Sequence, residues 1–158
     1  MQEGTSDQIS ETGSGLADAT AIAQYIIQNY SYSSKIIEVC AGNYLQIALE
    51  IKKKLSKTRV VVTDITPDFI DSVKENAPSL IAIVDDITKP NKRLYRGASL
   101  IYAIRPPVEL QPLIARLAEE VGADLIFRTL SDEYPPLIKS KQKLIVNTGK
   151  ALLHIYKW

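Results

Sequence analysis

Charged side chains stand at the ends of the apolar runs in this sequence. The acidic ones are Glu38, Asp64, Asp85 and Asp86, and the basic ones are Arg105 and Arg128. Carboxylates accept hydrogen bonds from hydroxyl and amino groups, whereas guanidinium groups donate to carboxylates and phosphates. If the runs are parallel strands, their carboxyl ends meet at one edge of a sheet, where open α/β folds bind ligands. The pattern therefore predicts a polar ligand site.

The loop after the first run has the position of a nucleotide-binding loop but few of its glycines. The three glycine positions of GxGxxG hold Cys40, Gly42 and Leu45, which disfavours close approach of the backbone to a pyrophosphate. Asp64 lies 22 residues beyond Gly42, about where a Rossmann fold places the acid that accepts from ribose hydroxyls. S-adenosylmethionine has a ribose and an adenine but no phosphate, so it fits this pattern better than NAD does.

S-adenosylmethionine also carries a cationic amino group and a sulfonium, which acidic residues can meet. We expect Glu38 and the loop after it at the methionine moiety, Asp64 at the ribose, and Asp85 or Asp86 at the adenine amino group. The candidate cofactor-binding residues are Glu38, Cys40, Ala41, Gly42, Asn43, Asp64, Ile65, Asp85, Asp86 and Ile87. No cysteine and histidine cluster has zinc spacing, so no metal site is predicted.

Several of these residues also have ordinary structural explanations, which stay open at this point. Asp64 and Thr66 precede a helix and could simply cap it. Asp85 and Asp86 have the composition of a turn. Cys40 is expected to fill space rather than to act as a nucleophile, because no histidine is near it in any interpretation.

The segment IRPPV after the fourth run is unusual. The sequence names no catalytic residue, but the candidate substrate contacts are Arg105, Pro106 and Tyr102. A guanidinium group has five donors and no acceptor, so Arg105 would bind a carboxylate or phosphate. That acid could belong to a substrate, or it could be Glu38 or another acid of the same site, with Arg105 as a structural counter-ion.

The elements that position these residues follow from hydrophobic periodicity. The segment from Leu16 to Tyr30 predicts an amphipathic helix. Strands are predicted at 35–39, 59–65, 79–87, 99–104 and 123–130, with helices at 43–56, 67–77 and about 112–121 between them. Near-continuous apolar strands that alternate with helices indicate a parallel sheet covered on both faces. The runs KLIVN and ALLHIYK around Thr148-Gly149 predict a C-terminal antiparallel hairpin.

The predicted fold is therefore α/β, a three-layer, doubly wound, Rossmann-like sheet of five parallel strands plus the hairpin. The 158 residues suit one domain, at 15–158, after a polar tail at 1–14 that we expect to be disordered. A net charge of +1 gives no overall field for nucleic acid or an anionic membrane. One cysteine, and no Lys or Arg in the first 34 residues, predict a cytoplasmic protein without a signal peptide.

The segments EVCAG, VVVTDI, IVDDITKP, LIYAIRPPVELQ and GADLIFRTL, in this order and spacing, resemble a family of small archaeal proteins, the uncharacterised protein family 0146. The resemblance covers about residues 36 to 135. It implies a Rossmann-like fold of the S-adenosylmethionine-dependent methyltransferase type. That family usually has glycines in the first loop, as in EVGxG, where this chain has Cys40 and Asn43 around Gly42.

Three functions are compatible with these observations. The first is an S-adenosylmethionine-binding, methyltransferase-like protein, a candidate enzyme that acts on a small molecule or together with a partner protein that completes its surface. The second is a non-catalytic scaffold or subunit that has lost or reduced cofactor binding. The third is an NAD-binding domain, which the missing glycines disfavour.

Overall fold

The structure, a computed structural model, describes residues 6–42, 45–129, 138–149 and 152–158, with residues 6–17 described by their backbone alone. The helices are α1 (Ser6–Asn29), α2 (Gln46–Lys54), α3 (Pro67–Asn76) and α4 (Gln111–Val121). The strands are β1 (Lys35–Glu38), β2 (Arg59–Asp64), β3 (Ile81–Val84), β4 (Leu100–Ile104), β5 (Asp124–Arg128), β6 (Gln142–Asn147) and β7 (Leu152–Lys157).

The strands form one sheet in the order β3-β2-β1-β4-β5-β7-β6. The pairs from β3 to β5 are parallel, while β7 is antiparallel to both β5 and β6. The predicted fold class, five parallel strands plus a C-terminal hairpin, is therefore confirmed. The strand order reverses between β1 and β4, which makes the carboxyl ends of these two strands the switch point of the sheet.

Each face of the sheet packs into its own apolar core, because successive side chains of a strand point to opposite faces. On one face, Ile36 and Leu100 pack beneath α1, α2 and α3. On the other, Ile37 and Ile101 pack beneath α4 and the chain around the buried Tyr95. These two cores make the three layers, and they hold the strand ends rigidly at a common edge.

The helix boundaries agree with the chemistry of their ends. α3 starts with Pro67, which needs no backbone donor at that position. α4 ends at Gly122, which adopts a left-handed conformation with φ of 74°. Lys52, in the last turn of α2, donates from Nζ to the carbonyl oxygens of Ser56 and Thr58. The predicted helix start at 43 lies outside the described residues, and α2 begins at Gln46.

The first helix differs from the prediction. α1 begins at Ser6, so residues 6–14 are helical where the sequence predicts a disordered tail, and residues 1–5 lie outside the described part. Ala19, Ile22, Ala23 and Ile26 anchor the second half of α1 in the core. Once such a segment is helical, each further residue adds a backbone hydrogen bond, so a helix can extend beyond its apolar face.

No helix within the described residues combines the length and the apolar character needed to cross a membrane.

Candidate ligand-binding site

A cleft of about 400 Å³ opens at the carboxyl ends of β1, β2 and β3, a size within the range of small-molecule sites. Its lining is largely apolar, with acids at one side. The lining residues are Val39, Cys40, Gly42, Thr63, Asp64, Ile65, Asp85, Asp86, Ile87, Thr88, Tyr95, Pro107 and Leu110. The structure thus brings together seven of the ten candidate cofactor-binding residues. Ala41 and Glu38 are buried and do not line the cleft, and Asn43 lies outside the described residues.

Asp64, the last residue of β2, ties the loop after β1 to the start of α3. Its Oδ2 accepts from the Gly42 backbone N–H at 3.1 Å, and its Oδ1 accepts from the Thr66 N–H at 3.0 Å. The capping explanation is correct in part, because Thr66 is the N-cap position but its side chain forms no cap hydrogen bond. A carboxylate has about four lone-pair sites, so Asp64 keeps about one acceptor site on each oxygen.

Asp85 is committed to the fold. Its Oδ2 accepts from the Tyr95 hydroxyl at 2.6 Å and its Oδ1 from the Asn91 N–H at 3.0 Å. The same Tyr95 hydroxyl lies 3.2 Å from Oγ1 of Thr63. Burial and the hydrogen bond to the Asp85 carboxylate raise the pKa of Tyr95 well above its usual value. Asp85 therefore fixes Tyr95 and the segment at Asn91 beside the cleft, and each of its oxygens already accepts one hydrogen bond.

Asp86 forms the predicted turn and still faces the cleft. Its Oδ1 accepts from both the N–H and the hydroxyl of Thr88, at 2.9 and 2.7 Å. These two hydrogen bonds lower the pKa of Asp86, so it is ionised at neutral pH. Within the described residues, its Oδ2 is left for a ligand. Ile87, beside it, is buried and contributes apolar surface.

The loop after β1 has an unusual backbone at Cys40, whose φ is 52°. Gly42 also has a positive φ, of 57°, which costs a glycine nothing. Cys40 is only partly exposed, and burial together with the Asp64 charge raises the pKa of its thiol to about 11. A thiol that stays protonated at neutral pH is a poor nucleophile. This agrees with the expectation that Cys40 fills space.

Glu38 and Tyr102 are neighbours on β1 and β4, where they form a register pair. Both are fully buried, and within the part of the chain that the structure describes neither Oε of Glu38 nor the Tyr102 hydroxyl forms a hydrogen bond. Burial is the main cause that raises the pKa of Glu38 to about 8; the nearby Tyr102 hydroxyl opposes this increase and the Asp64 charge adds to it. Glu38 is therefore mostly protonated at neutral pH.

The candidate substrate contacts need correction. Tyr102 and Pro106 are both buried. Strand β4 directs Tyr102 into the core beside Leu100, and the Pro106 carbonyl oxygen accepts a hydrogen bond from Gln111 Nε2. Pro107, not Pro106, lines the cleft. Of the three residues predicted as substrate contacts, Arg105 alone is exposed.

Arg105 does not neutralise the acids of the cleft. Its Nη2 lies 3.9 Å from Oδ2 of Asp18 on α1, the same oxygen that accepts from Arg128 Nη2 at 2.6 Å. The three side chains line a second, small cavity of about 40 Å³ between α1, α2 and the ends of β4 and β5. Arg128 also donates from Nη1 to the Thr129 carbonyl oxygen. Asp18 is thus the counter-ion that the sequence did not identify.

Other site residues were missed because they follow no strand directly. Tyr95 lies in a connecting segment after a short 3-10 helix at Lys92–Leu94, and Leu110 lies in another at Val108–Leu110. A large aromatic residue within a polar linker was the available signal for Tyr95. Asp18 gave no local signal, since it is separated from Arg128 by 110 residues. No group of three or more potential metal ligands occurs within the described residues.

Similar sequences are found among archaeal proteins. The sequence profile of the uncharacterised protein family UPF0146 matches residues 19–157. The UPF0146 protein of Methanothermobacter thermautotrophicus is 36% identical over 135 residues, which cover 85% of this chain and 92% of that protein. The UPF0146 protein of Archaeoglobus fulgidus is 38% identical over 114 residues, covering 72% of this chain and 79% of that protein.

Similar solved structures include several methyltransferases. The magnesium protoporphyrin IX methyltransferase of Synechocystis, solved with bound S-adenosylmethionine, superposes with a TM-score of 0.68 at 9% identity, covering all of this chain and 86% of that one. TrmN from Thermus thermophilus gives 0.62 at 18% identity, covering 86% of this chain. Human N-acetylserotonin methyltransferase gives 0.67 at 11% identity, covering 89% of this chain. This chain spans about half the length of the last two structures. At these identities the likeness establishes the fold alone.

Proposed function

Because this chain belongs to the uncharacterised protein family UPF0146 and has the Rossmann-like fold of methyltransferases, we propose that it is a methyltransferase-like protein that binds S-adenosylmethionine in the cleft. The proposal comes from the chemistry of the cleft, with the cofactor seen in similar structures as support. Apolar surface alone would suit many ligands. The proposal of S-adenosylmethionine therefore rests on the acidic residues of the cleft.

The observation that carries the proposal is the state of Asp64. Asp64 lines the cleft, its two oxygens each accept one backbone N–H from the described residues, and each has about one further lone-pair site. A ribose presents two adjacent hydroxyl donors, which match these two sites without breaking either backbone hydrogen bond. A 2′-phosphate in the same place would meet an uncompensated carboxylate, so the site favours a nucleoside with both hydroxyls free.

The rest of the cleft suits an adenine. Ile65 and Ile87 supply apolar surface from the loops after β2 and β3, and Leu110 and Pro107 supply it from the segment after β4. Oδ2 of Asp86 accepts no hydrogen bond from the described residues and can accept from an exocyclic amino group, whereas both oxygens of Asp85 already accept one each, from Tyr95 and Asn91. Asp86 rather than Asp85 is therefore the proposed adenine acceptor.

Glu38 suits the cationic end of the ligand. A buried carboxyl group without a hydrogen-bond partner is costly in a folded protein. An ammonium group near the loop 40–42 would give it a partner and would favour its ionised form. Bound S-adenosylmethionine would supply an electrophilic methyl group, and the chain would contribute by holding the donor and an acceptor in line, a role that needs no general base.

Titration calorimetry with S-adenosylmethionine, S-adenosylhomocysteine and NAD tests the proposal. We expect the first two to bind and NAD to bind at least about tenfold more weakly, since Cys40 has a side chain at the first glycine position of a pyrophosphate loop. Asp64→Asn and Asp86→Asn should each weaken binding by about tenfold to a hundredfold, the effect of losing a hydrogen bond to a charged group. Asp71→Asn, on the exposed surface of α3, is the matched control.

Circular dichroism should accompany each variant to confirm that the fold is intact. Equal binding by the wild type, Asp64→Asn and Asp86→Asn would contradict the placement of the nucleoside in the cleft. Absence of binding for S-adenosylmethionine and S-adenosylhomocysteine alike would contradict the proposed function itself.

A non-catalytic scaffold is a second candidate, and one observation favours it. Ile145 on the edge strand β6 is 60% exposed and Leu152 on β7 is 45% exposed. The register places them diagonally on one face of the hairpin. Such a pair at an uncovered sheet edge suits contact with another protein. Two results would support this second function over the first. Sedimentation would depend on protein concentration in the wild type but not in Ile145→Lys, and calorimetry would detect no binding of S-adenosylmethionine, S-adenosylhomocysteine or NAD.

The proposal also implies partners and a location. The acceptor would be a small molecule, or a partner protein would complete its site, because this chain spans about half the length of TrmN and of human N-acetylserotonin methyltransferase, two of the methyltransferases it resembles. A net charge of +1 offers no general attraction to nucleic acid. We place the protein in the cytoplasm, where its single cysteine would stay reduced.

A further inference from the structure

Arg105 directly follows β4, Arg128 is the last residue of the neighbouring strand β5, and both contact the carboxylate of Asp18. Two guanidinium groups thus share one carboxylate oxygen, which leaves a net positive charge at this point of the sheet edge. A shared, singly charged partner satisfies two cations poorly, because each guanidinium can bind a carboxylate through two donors.

The two arginines are held differently. Arg128 is 13% exposed and is fixed by its 2.6 Å bond to Asp18 and its bond to the Thr129 carbonyl. Arg105 is 42% exposed, and among the described residues its guanidinium has the 3.9 Å ion pair with Asp18 and no hydrogen bond. Arg128 is therefore a fixed anchor, whereas Arg105 has donors available for a further anion.

The backbone of Arg105 adds a second indication. Its φ is 51°, in the left-handed region that a non-glycine residue occupies at a cost of about 1–2 kcal/mol. Its N–H nevertheless continues the ladder to the Arg128 carbonyl oxygen at 2.6 Å. Unfavourable backbone geometry held in place by surrounding structure is concentrated at functional sites. Here it turns the chain directly after β4, where the arginine leaves the sheet.

The cluster of Arg105, Arg128 and Asp18 lies close to the cleft. The segment after β4 lines both cavities, with Arg105 in the small one and Pro107 in the cleft. The small cavity, of about 40 Å³, has room for a few water molecules. An acidic group would have more room there if the Asp18 carboxylate turned away from the arginines.

We propose that Arg105 and Arg128 form the binding site for an acidic group, a carboxylate or phosphate, of the methyl acceptor, and that Asp18 occupies this site when no acceptor is bound. This inference rests on the proposed function and names the class of its substrate, a small anionic molecule. The incoming anion replaces Asp18 on Arg128 and uses the free donors of Arg105, so the site exchanges one anion for another.

Titration with inorganic phosphate and with glutarate, followed through the Nε–Hε signals of Arg105 and Arg128 in ¹⁵N-¹H NMR spectra, tests the inference. Asp18→Asn removes the internal competitor and should bind at least one of the two anions about tenfold or more tightly than the wild type does. Adding Arg105→Gln should reverse that gain. Arg59→Gln, at the opposite end of the sheet in β2, is the matched control and should leave the gain unchanged.

Arg105→Gln in the otherwise wild-type protein keeps the test decisive if Asp18→Asn does not fold, since this exposed arginine can be replaced without opening the core. It should abolish whatever weak anion binding the wild type has. Equal anion affinities of the wild type, Asp18→Asn and Arg105→Gln would overturn the inference. Signal changes confined to arginines other than Arg105 and Arg128 would also overturn it.

A parallel titration with S-adenosylhomocysteine, read from the backbone signals of Gly42, Asp64 and Asp86, separates the two proposals. Binding of S-adenosylhomocysteine without the anion effect would overturn the acceptor site and leave the proposed function standing. The anion effect without S-adenosylhomocysteine binding would refute the proposed function and, with it, the acceptor role of the arginines.

Discussion

Replacement of Glu38 by glutamine should change how the stability of the protein depends on pH. Glu38 is fully buried, its oxygens have no hydrogen-bond partner among the described residues, and its pKa is raised from 4.5 to about 8. The folded state therefore binds a proton more tightly than the unfolded state does. Between pH 4.5 and pH 8 the free energy of unfolding should fall as the pH rises, because ionising Glu38 favours the unfolded chain.

The magnitude follows from the size of the pKa difference. Each unit is worth about 1.4 kcal/mol, so the wild type should lose about 4 kcal/mol between about pH 5 and pH 8 from this group. Glutamine keeps the shape of the protonated acid but cannot ionise. Glu38→Gln should therefore gain about 4 kcal/mol relative to the wild type over this interval, with the difference levelling off above pH 8.

Urea denaturation followed by circular dichroism at one-unit steps of pH measures this difference directly. Other titrating groups, such as His154, whose pKa is lowered by burial and by the Lys143 charge, occur in both proteins and cancel in the comparison. Glu75→Gln, an exposed change on α3, is the control and should parallel the wild type. A difference between Glu38→Gln and the wild type that stays constant from pH 5 to pH 9 would refute the assignment of a buried, protonated Glu38.

Four further results are expected. Cys40→Gly should be about 1 kcal/mol more stable than Cys40→Ala in urea denaturation, since the left-handed backbone at φ of 52° favours glycine, and equal stabilities would contradict this. Alkylation of Cys40 by iodoacetamide at pH 8 should be far slower than alkylation of free cysteine, because its thiol pKa is about 11; equal rates would contradict burial. Arg128→Gln should lower the free energy of unfolding by about 1–3 kcal/mol, whereas the exposed Arg105→Gln should change it by less than about 0.5 kcal/mol; the reverse order would refute the anchor role of Arg128. Binding of S-adenosylmethionine at pH 7 should release up to about one proton in the wild type and less in Glu38→Gln, measured by calorimetry in buffers of different ionisation enthalpy; identical release would separate Glu38 from the ligand.

The sequence predicted the sheet well because the relevant signals are local. Apolar runs such as RVVVTDI must be buried on both faces, and a turn such as Thr148-Gly149 between two short runs has few alternatives to a hairpin. The positions directly after each strand then follow from topology. This is why Asp64, Asp86 and Gly42 were found together in the cleft, and why the family named from the sequence is confirmed by its profile and relatives.

The parts that failed depend on side-chain direction or on distant contacts. Alternation along β4 already puts Tyr102 on the same face as Leu100, yet its position near the strand end suggested a ligand contact. The partner of Arg105 lies on α1, and no spacing rule connects two residues so far apart in the chain. The helical state of residues 6–14 is likewise invisible to a composition argument, because it follows from backbone continuity with a helix anchored further along.

Cys40 and Arg105 are the two non-glycine residues with positive φ in the described part of the chain, and they leave the neighbouring strands β1 and β4 at the same edge. The backbone thus adopts the same uncommon left-handed conformation after two adjacent strands, at the point where the strand order reverses. Together they store about 2–4 kcal/mol of backbone strain. The cleft lies against one face of the sheet and the arginine cavity against the other. The shortest path between the two cavities therefore passes over the turns at Cys40 and Arg105. A molecule long enough to occupy both cavities would have to lie over these two turns, which makes their shape, rather than the volume of either cavity, the limit on what can span them.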